Sequence, residues 1–195
     1  LNDHGLNTDY YHAQIKDNQQ RLNAQKKWME SKVNILVATV AFGMGIDKPD
    51  VRFIIHHTMP KSIEEYYQES GRAGRDGKLS YCMLLFKIAD KQKVSRLITY
   101  NDGNPKAEER VQVEMKLLEA MVNYCMEKFT CRRSLLLKYF SEEFDSSNCK
   151  ENCDNCIRGK TGLSKFTEND YTLPAVDIAN IINHITKYRK DTSPY

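Results

Sequence analysis

The chain has 195 residues, 41% of them hydrophobic, which is enough for one ordinary domain with a smaller attachment. Its formal net charge of +3, from 29 basic and 26 acidic residues, is too small to indicate nucleic acid by itself. No apolar run approaches the roughly eighteen residues that span a bilayer, and the first residues lack the pattern of a signal peptide, so we expect a soluble protein with no membrane contact. Because the first residue is Leu1 and not Met, we expect a fragment of a larger protein.

Three short runs in the first half of the chain are rich in β-branched and aromatic residues and almost continuously apolar. They occupy residues 33–39, 51–57 and 81–87. Such runs are typical of strands covered on both faces, so they predict a buried parallel sheet. Cys82 lies inside the third run and is predicted to be a buried core residue.

Helical patterns lie between these strands. One helix is predicted over 17–31, opening on Asp17, and another opens on Ser62 with Glu65 three residues later, the spacing of a capping box. Alternation of strand and helix indicates the α/β fold class.

The pattern changes after a turn cluster at 101–105. A long helix is predicted over 106–128, with Cys125 on its apolar stripe and therefore in the core, and a shorter helix over 132–140. The residues after the last cysteine are polar and turn-rich, and an amphipathic helix is predicted over 173–189.

Four of the six cysteines follow the pattern C-x17-C-x3-C-x2-C, and they are Cys131, Cys149, Cys153 and Cys156. Short-range pairs facing each other across a turn suit tetrahedral thiolate coordination of Zn²⁺. The alternatives are disulfides or unligated core cysteines. Neither is favoured, because no secretory signal is seen and three cysteines in eight polar loop residues are poor core material. Four protein ligands leave no open position, so a structural zinc site is predicted.

The stretch QESGRAGRDG at 68–77 sets two arginines three residues apart among three evenly spaced glycines. This arrangement predicts a loop that holds an anion. The alternative is an arginine-rich surface turn whose cations pair with Glu64, Glu65 or Asp76.

No complete phosphate-binding loop accompanies these arginines. The segment GMGIDK at 43–48 has Lys48 where a dinucleotide fingerprint needs its third glycine, and DNCIRGKT at 154–161 starts with Asp154 where a P-loop needs glycine.

Together with the cysteine pattern, two longer segments resemble the RecQ family of ATP-dependent DNA helicases over nearly the whole chain. ATVAFGMGIDKPDVR at 38–52 resembles helicase motif V, and YYQESGRAGRDG at 66–77 resembles motif VI. FDSSNCKENCDNC and TLPAVDIANIINHI are most similar to the eukaryotic Bloom-syndrome-type branch.

The resemblance implies three domains. Residues 1–103 would form the second RecA-like helicase lobe, 104–160 a helical zinc-binding subdomain, and 161–195 the truncated start of a winged-helix domain. The first lobe, with its P-loop lysine and Mg²⁺-binding acidic motif, would lie upstream. ATP and Mg²⁺ would then be bound jointly with that lobe, and the fragment alone would be inactive.

The resemblance also implies roles for single residues at the nucleotide. Arg75 matches the arginine finger, Arg72 its companion on the phosphates, and Gln68 a further catalytic residue. Asp47 matches the residue that contacts the ribose, with Gly45 beside it, although Asp47 could instead cap a helix. The loop glycines Gly71, Gly74 and Gly77 would let the backbone approach the nucleotide.

DNA contacts are expected from Thr39, at the end of a strand, and from Lys61 and Ser62, at a helix N-terminus. Ser62 could also be a simple helix cap.

The function implied is a 3′-to-5′ DNA helicase that hydrolyses ATP and unwinds duplex DNA in repair, recombination and replication. Its partners would be single-stranded DNA and duplex junctions, ATP, and repair proteins such as a topoisomerase. Its location would be the nucleus. Two alternatives are a non-catalytic zinc-stabilised DNA-binding module and an RNA helicase lobe.

Overall fold

The computed structural model describes residues 2–42, 47–101, 104–105, 107–162, 172–173 and 176–181. The strands are β1 (Thr8–Tyr11), β2 (Ile35–Ala38), β3 (Phe53–His56), β4 (Tyr81–Leu84), β5 (Tyr100–Asn101) and β6 (Asn104–Pro105). The helices are α1 (Asn18–Met29), α2 (Ile63–Ser70), α3 (Asp90–Thr99), α4 (Glu108–Met126), α5 (Arg132–Tyr139) and α6 (Asp154–Lys160). Single 3-10 turns cover Asn2–His4, Val40–Phe42 and Ser146–Cys149. Most of the helix predicted over 173–189 lies outside the described residues.

The predicted parallel pairing is present. β1 runs beside β2 with Thr8 opposite Ile35, and β3 runs beside β4 with Phe53 opposite Tyr81. Among the described residues these are two separate pairs, so the three predicted runs do not form one sheet, and β5 pairs with β6 in antiparallel. Parallel pairs joined through helices confirm the α/β class.

The prediction that the strands are covered on both faces is wrong for the described structure. Phe53 and Ile55 of β3 are 66% and 60% exposed, and their register neighbours Tyr81 and Met83 of β4 are similarly exposed. Cys82 of β4, predicted to be buried, is exposed as well. A continuous apolar run shows that a strand can be buried on both faces, but the coverage depends on what packs there, and a two-stranded pair leaves one face open.

The best-buried part of the molecule lies among helices. Ile98 of α3 and Leu118 and Met121 of α4 are completely buried, and Ile63 and Tyr66 of α2 join the same cluster. Burying side chains of this size contributes on the order of 1.5–3 kcal/mol each. Cys125 is partly buried against this cluster, so its predicted place on the apolar stripe is confirmed.

Helix α1 begins where the sequence predicts. The Asp17 side chain accepts a hydrogen bond from the backbone N–H of Gln19, at 2.8 Å, which satisfies one of the open donors of the first turn. Within the described ranges, no helix has both the length and the apolar character needed to cross a bilayer.

Candidate arginine loop and metal centre

Helix α2 leads directly into the arginine loop, which we define as residues 71–77. Ser62 caps α2, because its hydroxyl accepts from the N–H of Glu65 at 3.2 Å. The Glu65 carboxylate in turn accepts from the N–H of Lys61 at 3.0 Å. The predicted capping box is therefore present, closed one residue earlier than the usual pattern. Gln68 is exposed on the last turn of the helix.

The arginine loop is fixed to the segment that precedes β3. The N–H of Gly74 donates to the carbonyl of Val51 at 3.0 Å, and the N–H of Asp76 donates to the carbonyl of Pro49 at 3.1 Å. The Arg52 guanidinium also meets the Asp76 carboxylate at 2.6 Å. This hydrogen bond holds the pKa of Asp76 below its ordinary value. The middle and the C-terminal part of the loop are therefore positioned by residues of the motif V segment, which the sequence alone did not indicate.

Two loop glycines have backbones that favour glycine. Gly74 has φ +66° and Gly77 has φ +75°. A Cβ on Gly74 would lie 2.5 Å from the Ser80 hydroxyl and 2.9 Å from the Lys78 carbonyl, whereas a Cβ on Gly77 would meet nothing within 4 Å. Gly71 closes α2 in the right-handed region, with φ −65°. Gly74 and Gly77 are therefore required by the turn itself. The predicted approach of the loop glycines to a nucleotide stays a prediction.

The structure brings Arg75 and Asp47 together across 28 residues of sequence. Arg75 Nη1 donates to Asp47 Oδ1 at 2.9 Å, and the Asp47 side chain is 82% exposed. Arg72 is half-buried, and its guanidinium makes no recorded hydrogen bond or ion pair within the part of the chain that is described. Two residues predicted separately to meet a nucleotide are therefore neighbours.

The carboxylates proposed as alternative partners of the arginines are engaged elsewhere. Glu64 accepts from the Tyr139 hydroxyl, Glu65 from the Lys61 N–H, and Asp76 from Arg52.

Two of the three residues predicted to contact DNA are exposed. Thr39 is exposed just after β2, and its N–H donates to the Tyr11 carbonyl at 3.1 Å. Lys61 is exposed, while Ser62 is buried and occupied as a helix cap. Gly45 lies outside the described residues.

The four cysteines of the predicted zinc site converge, although up to 25 residues separate them. The sulfurs of Cys131, Cys149, Cys153 and Cys156 all lie within 4.8 Å of one another. Tetrahedral Zn–S bonds of about 2.3 Å require sulfurs roughly 3.8 Å apart, and the sulfurs of Cys131 and Cys153 are 4.0 Å apart. The separation is far too long for a disulfide, and all four thiols are free. The donor set and its spacing fit a structural Zn²⁺.

The surroundings of the thiols favour a cation. Burial raises the pKa of Cys131, but hydrogen bonds from the backbone N–H groups of Ser134 and Arg133 and from the side chains of Cys149 and Ser134 together lower it to about 7. Burial and the neighbouring sulfurs raise the pKa of Cys149 and Cys156. Because thiolates are the metal-binding form, binding at this cluster would release protons and weaken in acid.

Sequence reasoning missed the side chains that fix the metal centre to the helices. Arg132 forms a two-point contact with Asp154, Nε to Oδ1 at 2.9 Å and Nη2 to Oδ2 at 3.0 Å, and also donates to the Tyr124 carbonyl. The buried Asn155 donates to the carbonyls of Glu127 and Thr130, at 3.2 and 2.8 Å. The sequence signal that could have indicated these contacts was position alone, since the polar residues are direct neighbours of the cysteines.

Two protein families match the chain. Residues 1–77 match the helicase conserved C-terminal domain, and residues 88–157 match the RecQ zinc-binding domain. The second match contains all four clustered cysteines, and the first contains both Asp47 and Arg75. The helicase lobe and the zinc-binding subdomain of the predicted fold are therefore both present, while the boundaries at 103 and 160 stay predictions.

Curated relatives are similar over most of the chain. It is 43% identical to the ATP-dependent helicase SGS1 of Saccharomyces cerevisiae over 95% of its length, and 42% identical to the RecQ-like DNA helicase BLM of Xenopus laevis, also over 95%. It is 41% identical to a putative ATP-dependent DNA helicase Q1 of Caenorhabditis elegans over 99%. The chain spans only 12%, 13% and 29% of these three relatives.

The identities to the BLM and Q1 relatives differ by one percentage point, so they do not separate the branches, and the Bloom-syndrome-type assignment stays a prediction. The relatives and the two domain matches agree on the wider family. The chain belongs to the RecQ family.

Proposed function

We propose that this chain is the second lobe and the zinc-binding subdomain of a 3′-to-5′ ATP-dependent DNA helicase. The observation that carries the proposal is the meeting of Arg75 and Asp47 at 2.9 Å, on a loop held by backbone hydrogen bonds. It unites motifs V and VI in one exposed cluster. Such a cluster is half of a composite site, because none of the loops in this sequence can cradle a nucleotide's phosphates.

The role of the arginines follows from the charge of the reaction. Phosphoryl transfer spreads negative charge over the γ-phosphoryl oxygens, and a planar, permanently charged guanidinium can meet two of them at once. Arg75 would serve as the arginine finger and Arg72 as its companion on the phosphates, with Gln68 beside them. Asp47 would exchange its contact with Arg75 for the ribose, together with Gly45. ATP and Mg²⁺ would be held jointly with a first lobe.

DNA is the proposed polymer substrate. The exposed Thr39 and Lys61, and the amides at the capped start of α2 beside Ser62, offer a hydroxyl, a cation and a helix N-terminus to phosphates. Closure of the two lobes on ATP would then shift this lobe along single-stranded DNA. Two of the relatives are named as DNA helicases, which supports DNA as the substrate. The proposal extends to a role in repair, recombination and replication, to action at duplex junctions, to repair partners such as a topoisomerase, and to a nuclear location.

Zinc is proposed as a structural ion only. Cys131, Cys149, Cys153 and Cys156 would hold it, and when bound it cross-links α5, the Ser146–Cys149 turn and α6.

The decisive experiment is Arg75→Ala in the full-length protein. ATP turnover should fall by roughly three to five orders of magnitude, the range seen for arginine fingers, while affinity for single-stranded DNA stays within about twofold. Lys78→Ala is the matched control, because it removes an exposed cation from the residue that follows the same loop.

Equal loss of turnover and DNA affinity in Arg75→Ala would contradict the proposal and support a purely structural loop. Preference for RNA over DNA as the activating strand would favour an RNA helicase lobe instead.

A further inference from the structure

Helix α2 is short, and its position determines where the arginine loop starts. It spans eight residues, Ile63–Ser70, and Arg72 follows its capping glycine directly. An isolated helix of this length is not stable in water. The orientation of α2, and with it that of Gln68 and Arg72, is therefore set by what the helix packs against.

One side of α2 is held by the strand layer. Glu69 Oε2 lies 2.9 Å from His56 Nε2 at the end of β3, and His56 is 9% exposed. The Tyr66 ring packs on the His56 ring at 5.2 Å between centroids. These contacts fix one side of α2 to β3.

Another side of α2 is held by the zinc-binding subdomain. The Tyr139 hydroxyl, at the end of α5, donates to Glu64 Oε1 at 2.6 Å across 75 residues of sequence. The Tyr67 ring packs on Phe140 at 4.9 Å between centroids. Tyr66 contacts Tyr124 of α4 at 5.6 Å.

Glu64 depends strongly on this one hydrogen bond. Its other carboxylate oxygen, Oε2, is buried and has no hydrogen-bond partner in the described structure. Burial alone would raise the pKa of Glu64, but hydrogen bonding, above all from Tyr139, lowers it. Removal of the Tyr139 hydroxyl would therefore take from the carboxylate its main hydrogen-bond donor, since Ser62 and the backbone contribute less, and poorly satisfied carboxylates move toward water.

We propose that Tyr139 is a positioning residue for the arginine loop. The hydroxyl of Tyr139 and the ring of Phe140 hold one side of α2 while His56 holds another, so that Arg72 and Arg75 are presented in one orientation. Without the Tyr139 hydroxyl, Glu64 turns outward and α2 shifts on its core. This inference rests on the proposed function, because it assigns the contact an effect on ATP hydrolysis.

The test is Tyr139→Phe in the full-length protein, a change that removes the hydroxyl and keeps the ring contact with Phe140. The kcat for ATP hydrolysis should fall about tenfold, since displacements near 1 Å can cost up to about a hundredfold. The KM for ATP and the zinc content should stay within twofold of the wild-type values. Tyr81→Phe is the matched control, because the Tyr81 side chain is exposed on β4.

A second arm separates positioning from general destabilisation. In an Arg75→Lys background, Tyr139→Phe should lower kcat less than twofold further, because the group through which it acts is already altered. Glu64→Gln, which keeps an acceptor oxygen for Tyr139, should retain most of the activity, and Glu64→Leu should not.

Unchanged kcat in Tyr139→Phe, or the same fold-loss in both backgrounds, would overturn this inference. If Arg75→Ala abolishes turnover while Tyr139→Phe is silent, only the positioning role fails. If Arg75→Ala leaves turnover intact, the proposed function itself fails.

Discussion

Single residues in the arginine loop have distinct roles, although its arginines and glycines recur at regular spacing. Arg52 and Asp76 hold the loop to the segment before β3, whereas Arg75 reaches outward to Asp47. The capping of α2 by Ser62 was predictable, because a capping box is read from residues three apart. The contact of Arg75 with Asp47 was not, because it depends on how two distant segments are brought together.

The two loop glycines with positive φ allow a controlled stability prediction. Gly74→Ala should lower the free energy of unfolding by at least about 1 kcal/mol more than Gly77→Ala, since both pay the left-handed backbone penalty but only Gly74 meets neighbouring atoms. Urea unfolding of the two variants measures the difference. Equal losses would mean that the loop around Ser80 yields freely to an added methyl group.

At the scale of elements, α2 and α3 both pack on α4 in the most buried cluster of the described structure. Helix α2 also contacts α5 through Tyr139. Helix positions followed from their periodicity, and α4 at Glu108–Met126 lies within the predicted 106–128. The sequence predicted no strand at Thr8–Tyr11 and no helix at Asp90–Thr99. The β1 run is only four residues long and so has little periodic signal. Helix α3 does have one, because Val94 and Ile98 lie four residues apart and are both buried, and this signal was missed.

The exposed face of β3 and β4 shows that burial of a strand is also difficult to predict from its sequence. A strand's own residues define its pairing tendency, but whether Phe53 and Ile55 are covered depends on a partner layer that those residues do not specify.

The contact between α2 and α5 should contribute stability in a defined pH range. The pKa of Glu64 is lowered in the folded state, so its contribution is complete above the ordinary glutamate value of about 4.3 and is lost as pH falls through the folded value. The pKa of Tyr139 is raised to about 12, so the hydroxyl stays protonated up to high pH. The difference in unfolding free energy between wild type and Tyr139→Phe should be flat from about pH 5 to 9 and shrink below about pH 4.3.

Chemical unfolding at a series of pH values, with both proteins measured under the same metal conditions, gives this difference directly. A difference that grows toward acid would contradict the charged hydrogen bond.

At the scale of the whole molecule, the zinc-binding subdomain should depend on its metal. A chelator at neutral pH should release one zinc ion per chain and remove much of the helical circular dichroism of α5 and α6, because metal binding supplies folding free energy to small modules of this kind. Cys153→Ser should do the same without a chelator. Cys82→Ser, outside the cluster and exposed, is the control. Full helicity and cooperative unfolding after metal removal would contradict a structural zinc site.

The chain by itself should hydrolyse no ATP above background. Its arginines lie on the second half of a composite site, and the loops of this sequence cannot hold the phosphates that they would stabilise. A phosphate-release assay on the purified 195-residue chain, with single-stranded DNA added, tests this. Turnover by the chain alone would contradict the assignment of Arg75 to a site shared between two lobes.

The 75-residue separation between Glu64 and Tyr139 has a consequence for how the protein is made. Translation at about 5–20 residues per second delivers Tyr139 some 4–15 s after Glu64. Throughout that interval α2 lacks the contact with Tyr139. A message that ends after codon 77 and before codon 139 would release a helicase lobe with every motif VI residue present and its arginines unaligned. Such incomplete products should therefore show no DNA-stimulated ATP hydrolysis.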